Sequence, residues 1–220
     1  MRRDGSGLLQ LTHDNIHDQY GDWSPDERSI VVTRWQDDVG EPSESRSDVF
    51  VMNAVGRGMH RLYRARGCSS LRGAPRTPRA LRLHHPPRRA RTNDSLGSVA
   101  CVKDVHDATW SPDGTRIAYR CSDAPDYVIK IIRADGTSPM QLSFVDTAPS
   151  YGVLDFSPVW SPDGAQIAFG STRVSYQTAP WVMDTTGANA SPIGGQAARE
   201  FVPVDWGAVP WGRCRGRMLR

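Results

Sequence analysis

Large and small apolar side chains alternate along this chain in short runs that recur after the same polar tetrad. Ile117 and Tyr119 flank Ala118, Ile167 and Phe169 flank Ala168, and Ile30 and Val32 flank Val31. A period of two places the large residues on one face of a β-strand and the small ones on the other. Ahead of these strands stand Trp23-Ser24-Pro25-Asp26, Trp110-Ser111-Pro112-Asp113-Gly114 and Trp160-Ser161-Pro162-Asp163-Gly164. Ser suits the first position of a type I turn, Pro presets the second, Asp tolerates the third and Gly relieves the fourth. Glu27 takes that fourth place in the first copy, where Gly is favoured but not obligatory. Further β-rich runs, Val49 to Met52, Val128 to Ile132 and Trp181 to Met183, precede Gly56, Gly136 and Gly187. These glycines, and Gly5, are each followed six residues later by an aliphatic residue: Leu62, Leu142, Ile193 and Leu11. Each unit therefore predicts strand, tight turn, strand, loop, strand, glycine turn, strand.

The Trp motifs are spaced by 87 and 50 residues, and Trp206-Gly207, 46 further on, reads as a stripped fourth copy. A sheet apolar on both faces must be covered on both, and large side chains facing small ones let successive sheets nest about 10 Å apart. The expected fold is all-β: a β-propeller of four-stranded antiparallel blades. About four to five blades are expected, one of them degenerate, in a ring that need not be complete. Residues 13–63, 100–144 and 145–194 read as full blades and 64–99 as a damaged one. In domain terms this gives blades over 1–63, an Arg/Pro-rich degenerate or disordered segment over 64–99, blades over 100–212 and a basic tail over 213–220. Met1 to Thr12 reads as an outer strand without the three strands that should precede it. It could pair with residues around Trp206 to complete one blade from both termini; a product lacking N-terminal blades and any export signal is the other reading.

Trp-Ser-Pro-Asp-Gly-x-x-Ile-Ala-Phe/Tyr, followed by a strand and Asp-Gly-x-x-x-x-x-Leu, resembles the WD40-like repeat of TolB-type β-propellers over residues 1–63 and 100–206. Asp135-Gly136 and Asp4-Gly5 fit the second half of the pattern, Val55-Gly56 and Thr186-Gly187 lack its Asp, and Ser171-Thr172-Arg173 has no counterpart in the other units. The resemblance implies a non-catalytic scaffold whose rim or channel binds a protein or peptide, in the periplasm or elsewhere outside the bacterial cytoplasm. TolB also carries a small N-terminal domain and contacts a peptidoglycan-associated lipoprotein. The alternative is the substrate-gating propeller of a prolyl-oligopeptidase-like serine peptidase, without its hydrolase half.

Charge alters this picture in one segment. The formal net charge is +3, yet residues 61–91 hold ten Arg and no acid, and Arg213, Arg215, Arg217 and Arg220 crowd the end, so the remainder is acidic. A chain-wide polyanion surface is excluded. Four prolines between positions 75 and 87 oppose strand pairing there, and no aromatic residue between Tyr63 and Trp110 is available to stack bases. With 25 Arg against two Lys in the chain, the segment reads as an insertion or an altered reading frame, and nucleic acid is not the expected partner. The start has positive charge but no apolar stretch after it, so no signal peptide is visible, and no apolar run suits a membrane span.

Candidate chemistry is sparse. Gly-x-Ser-x-Gly, His-Glu-x-x-His and Gly-x-x-x-x-Gly-Lys motifs do not occur, no catalytic, cofactor or metal residue is assigned, and the expectation is that the chain is not an enzyme. His13-Asp14-Asn15-Ile16-His17-Asp18 is the best metal candidate, but it sits in a loop and reads as solvated; His84 and His85 lie in the damaged segment. Asp22, Asp146, Asp155 and Asp205 enter the Trp-bearing strands and could form an acidic mouth, against the simpler reading of solvated loop acids. Cys68, Cys101, Cys121 and Cys214 form no Cys-x-x-Cys pair and permit three disulfide pairings while requiring none. Asn93-Asp94-Ser95 and Asn189-Ala190-Ser191 match glycosylation acceptors weakly.

Overall fold

The computed structural model describes residues 6–36, 46–63, 104–123, 126–143, 152–173 and 177–193. Within them the chain forms twelve strands in three four-stranded antiparallel sheets, each a meander. Blade A contains β1 (Asp18–Trp23), β2 (Ser29–Gln36), β3 (Arg46–Asn53) and β4 (His60–Tyr63). Blade B contains β5 (Val105–Trp110), β6 (Arg116–Asp123), β7 (Asp126–Arg133) and β8 (Met140–Gln141). Blade C contains β9 (Asp155–Trp160), β10 (Gln166–Ser171), β11 (Ala179–Asp184) and β12 (Ser191–Pro192). The damaged blade, the last unit and the basic tail lie outside the described residues. No helix among the described residues is long and apolar enough to cross a membrane.

The Ser-Pro-Asp turns do more than reverse the chain. The Ser111 hydroxyl, fully buried, donates to Asp113 Oδ1 at 2.5 Å and accepts the Arg116 N–H at 2.9 Å. Ser24 and Ser161 repeat this with Asp26 and Ser29, and with Asp163 and Gln166. These serine donors, followed by backbone N–H groups at Arg28, Thr115 and Ala165, hold the three carboxyls below the usual carboxylate range. The fourth position is left-handed in all three turns, with φ 68° at Gly114, 69° at Gly164 and 59° at Glu27. A left-handed side-chain-bearing residue costs about 1–2 kcal/mol. Glu27→Gly is therefore expected to stabilise the chain by about 1 kcal/mol, read as a higher urea midpoint at unchanged slope.

Large-against-small packing joins the blades. The small face of blade A, Val31, Val49 and Val51, forms one core with Val105, Ile117, Tyr119 and Ile132 of blade B. The small face of blade B, Ala118 with Ile129, Ile131 and Leu142, forms the next with Trp160, Ile167, Phe169 and Met183 of blade C. Each blade thus has an incoming face of large residues, turned to its predecessor, and an outgoing face turned to its successor. The six-residue glycine register has its meaning here. Gly136 lies against the Leu62 carbonyl and Gly187 against that of Leu142, one blade back, so closely that a Cβ would come within 3.0 and 2.3 Å of the oxygen. Gly56 meets Leu11 in the same way, at 2.4 Å. The N-terminal segment therefore occupies the place of a preceding blade's outer strand, and Leu11 helps cover Ile30, Val32 and Met52.

Candidate functional site

Antiparallel alternation sends all the Ser-Pro-Asp and glycine turns to one end of the blades. The connections at the other end include the long ones, residues 37–45, 64–104 and 142–154. At this loop end the first strand of each blade begins, and β1, β5 and β9 lie side by side as the inner strands. All three carry a left-handed residue three positions before the Trp: Tyr20 (φ 52°), Asp107 (φ 55°) and Ser157 (φ 50°). Pairing to the second strand skips there, between Gln19 and Asp22, between His106 and Thr109, and between the partners of Ala168 and Gly170. These are β-bulges, which bend a strand and re-aim its side chains.

Carboxylates then tie the bulged strands together. Asp22 accepts from the Trp110 N–H at 2.8 Å and the Thr109 hydroxyl at 2.9 Å, crossing from blade A to blade B. Asp107 accepts from the Ser157 N–H at 3.0 Å, crossing from B to C, and stands 3.8 Å from Arg120 Nε. Asp155 is wholly buried and bonded by Arg173 Nη2 at 2.5 Å, while that guanidinium stacks over Phe169 and Trp181. This gives Ser171-Thr172-Arg173 its role. Asp22 ties β1 to β5 through Oδ2, and the buried Asp155 is sealed against Arg173, so neither reads as a solvated loop acid; Asp146 and Asp205 lie outside the described residues. Arg34 of β2 bonds Asp14, stapling the histidine loop to blade A, and lies 3.6 Å from Asp18 at the start of β1. His13 and His17 are not joined by these groups into a cluster, and no metal-holding group of three occurs among the described residues. His84, His85 and Asn93 lie outside the described residues. Cys121 is fully buried and disulfide-bonded; Cys68, Cys101 and Cys214 lie outside the described residues.

Sequence reading missed the seam between blades A and B. His106 meets the rings of Trp35 (5.6 Å) and Tyr20 (6.0 Å) edge to face, and Arg120 lies over Tyr127 at 5.1 Å. Tyr20 remains 52% exposed. The available signal was positional: Tyr20 and Asp107 share the third place before the Trp. Burial, and then the Arg120 charge, push the His106 imidazole below its ordinary pKa, against the opposing pull of Asp104 and Asp107. Nδ1 is shut from solvent with no hydrogen-bond partner among the described residues. A lowered folded pKa favours the neutral ring, so this contribution to stability is present above pH 6.5 and lost as pH falls through the lowered value. His106→Gln is expected to reduce the fall in urea midpoint between about pH 7 and pH 5, a range above that where the turn aspartates titrate.

No protein-family model matches the sequence, and no curated protein matches it. Solved structures do. A TolB-assigned protein of Agrobacterium tumefaciens superposes with TM-score 0.55 at 20% identity, covering 83% of this chain and 50% of that one. TolB from Acinetobacter baumannii gives 0.50 at 15%, covering 83% and 33%. A puromycin-hydrolysing peptidase of Mycobacterium tuberculosis gives 0.52 at 11%, covering 80% and 23%. The chain thus spans half or less of the length of these proteins. Together with the three radially adjacent meanders, the comparisons establish the architecture: this chain is built of β-propeller blades, similar to those of TolB.

Proposed function

We propose that the chain is a non-catalytic, WD40-like β-propeller scaffold that binds a protein or peptide partner at the loop end of its inner strands. One observation carries the reading: the half-exposed Tyr20 stands beside His106, whose ring also meets Trp35 and whose cross-strand partner is Arg120, on a seam between two blades. Aromatic and Arg side chains held rigidly are the usual anchors of peptide recognition, since little entropy is lost when they engage. The polar groups nearby support binding over chemistry, because Asp22, Asp107, Thr109 and the Ser157 N–H are already engaged between blades. The similarity to TolB supports a bacterial setting outside the cytoplasm, as does the disulfide at Cys121, which suits an oxidising compartment. The Arg/Pro-rich segment over 64–99 is not assigned a nucleic-acid role.

The second reading, a substrate-gating propeller fragment of a serine peptidase, is favoured by the similarity to the puromycin-hydrolysing enzyme. Selection of a displayed random-peptide library on the purified chain tests the first. Enriched peptides are expected to bind about tenfold more weakly to Tyr20→Ala, at unchanged thermal midpoint. Peptides that bind the variant equally well would move the site elsewhere. Hydrolysis of peptide substrates by the purified chain would overturn the non-catalytic assignment.

A further inference from the structure

His106 is held against two rings of blade A and leaves one of its nitrogens unmatched. It meets Trp35 of β2 at 5.6 Å and Tyr20 of β1 at 6.0 Å, both edge to face, while Nδ1 is shut from solvent with no hydrogen bond among the described residues. On the same strand Asp104 Oδ1 is in the same condition, buried and unbonded. The Ser122 N–H, donated to the Asp104 carbonyl at 2.8 Å, carries the β5–β6 ladder one residue ahead of Val105. Strand alternation therefore sets Asp104 and His106 on one side of the chain, about 7 Å of rise apart, and the Asp104 charge acts on the ring. The other charges in this neighbourhood are engaged. Asp107 Oδ2 accepts the Ser157 N–H and stands 3.8 Å from Arg120, which lies over Tyr127. On β1, Asp22 is bonded by Thr109 and Trp110, and Asp18 lies 3.6 Å from Arg34 of β2.

We propose that His106 and Asp104 form an acid-operated latch behind Tyr20: on taking up a proton the imidazole donates its Nδ1–H to Asp104 Oδ1 and turns out of its contacts with Tyr20 and Trp35. The two ring states have unequal needs. A neutral imidazole leaves Nδ1 against aromatic rings at modest cost, whereas an imidazolium carries an N–H on both nitrogens, and a buried charged donor without an acceptor is far costlier. Aromatic rings offer that cation only their faces; a carboxylate offers a charge-assisted hydrogen bond. Asp104 is the carboxylate on the same side of β5 with an oxygen to spare, and a turn toward Arg120 is opposed by like charge. Rotation of the ring removes the edge on which Tyr20 packs, while the β1 bulge still holds the Tyr20 backbone at φ 52°. The consequence for binding rests on the reading of Tyr20 as the partner's anchor. Only the fraction with neutral His106 is then competent, so affinity falls by about tenfold for each pH unit below the midpoint.

Magnetic resonance of the ligand-free chain tests the latch without a partner. Isotope-labelled histidine and fluorotyrosine, assigned through His106→Gln and Tyr20→Phe, are followed from about pH 8 to about pH 4.5. As His106 takes up its proton, a downfield, slowly exchanging Nδ1–H signal is expected, and the Tyr20 fluorine signal is expected to move with the same midpoint. Asp104→Ala, with a β-type circular dichroism spectrum as the folding control, is expected to lower that midpoint by about one pH unit, to lose the Nδ1–H signal and to leave the Tyr20 signal still. A wild-type Nδ1–H that exchanges freely, a Tyr20 signal that ignores the titration, or a folded Asp104→Ala that behaves as wild type overturns the latch. Binding is the separate arm. For a peptide selected on the chain and lost with Tyr20→Ala, the affinity is expected to fall between about pH 7.5 and about pH 5, and that dependence to vanish in His106→Gln. Equal affinity of the wild-type chain at both values overturns the release step. A selection that yields no Tyr20-dependent peptide overturns the binding site instead, and the ligand-free spectra decide the latch by themselves.

Discussion

Gly187→Ala is expected to destabilise the chain by about 3 kcal/mol, whereas Gly58→Ala, at a similar backbone angle, is expected to cost only about 1–2 kcal/mol. Both glycines are left-handed, φ 82° at Gly187 and 66° at Gly58, so both substitutions incur the penalty for a Cβ in that region. They differ in what the Cβ meets. At Gly187 it would stand 2.3 Å from the Leu142 carbonyl oxygen, which is backbone and cannot swing away; at Gly58 nothing lies within 4 Å. The extra cost at Gly187 is an overpacking term, about 1–3 kcal/mol, and it belongs to the joint between blades B and C. Urea titrations of the two variants measure the difference directly. Equal losses would mean that the glycine turn is required for its local angle alone and does not lock the blades.

Arg173→Met is expected to cost about 3–5 kcal/mol, because it leaves the carboxylate of Asp155 inside the protein without its cation. Asp155 has no exposed surface, and Arg173 supplies both its Nε (3.3 Å) and its Nη2 (2.5 Å). The corresponding place on β5, five residues before the Trp, is held by Val105, which is equally buried. Blade B thus demonstrates that an apolar side chain fits at that register. The double variant Asp155→Val with Arg173→Met is expected to recover most of the loss, since it removes both desolvated charges together. A double variant as unstable as the single one would show that Arg173 acts mainly by packing on Phe169 and Trp181 and not through its charge.

Much of this molecule was legible in its residues. Alternation around Ala118, Ala168 and Val31 identified β6, β10 and β2, and their facing pattern anticipated which side of each sheet receives its neighbour. The serine-proline turns fell where the motif put them. Leu11, in the segment read as a stray outer strand, lies against Gly56 without forming an assigned strand. The chemistry was far less legible. Asp22 and Asp155 looked alike as acids entering a strand, yet one bridges to Trp110 and the other is sealed against Arg173. His106 drew no notice because nothing within its own unit marks it: two of its contacts, Tyr20 and Trp35, come from the preceding blade.

The division follows from the range of the forces involved. Strand alternation, proline and glycine punctuation and serine capping act within a few residues, so the sequence by itself determined the blades, their turns and the sense in which large faces meet small ones. Whether a carboxylate is free to meet a ligand depends on groups far along the chain, as with Asp22 and Trp110, separated by 88 positions. Only the tertiary structure decided that these acids bond within the protein, that Trp23 and Ile193 stay exposed where Trp160 and Leu142 are buried, and that Tyr20 stands half-exposed beside His106. Burial is a property of the assembled neighbours, and no residue carries it alone.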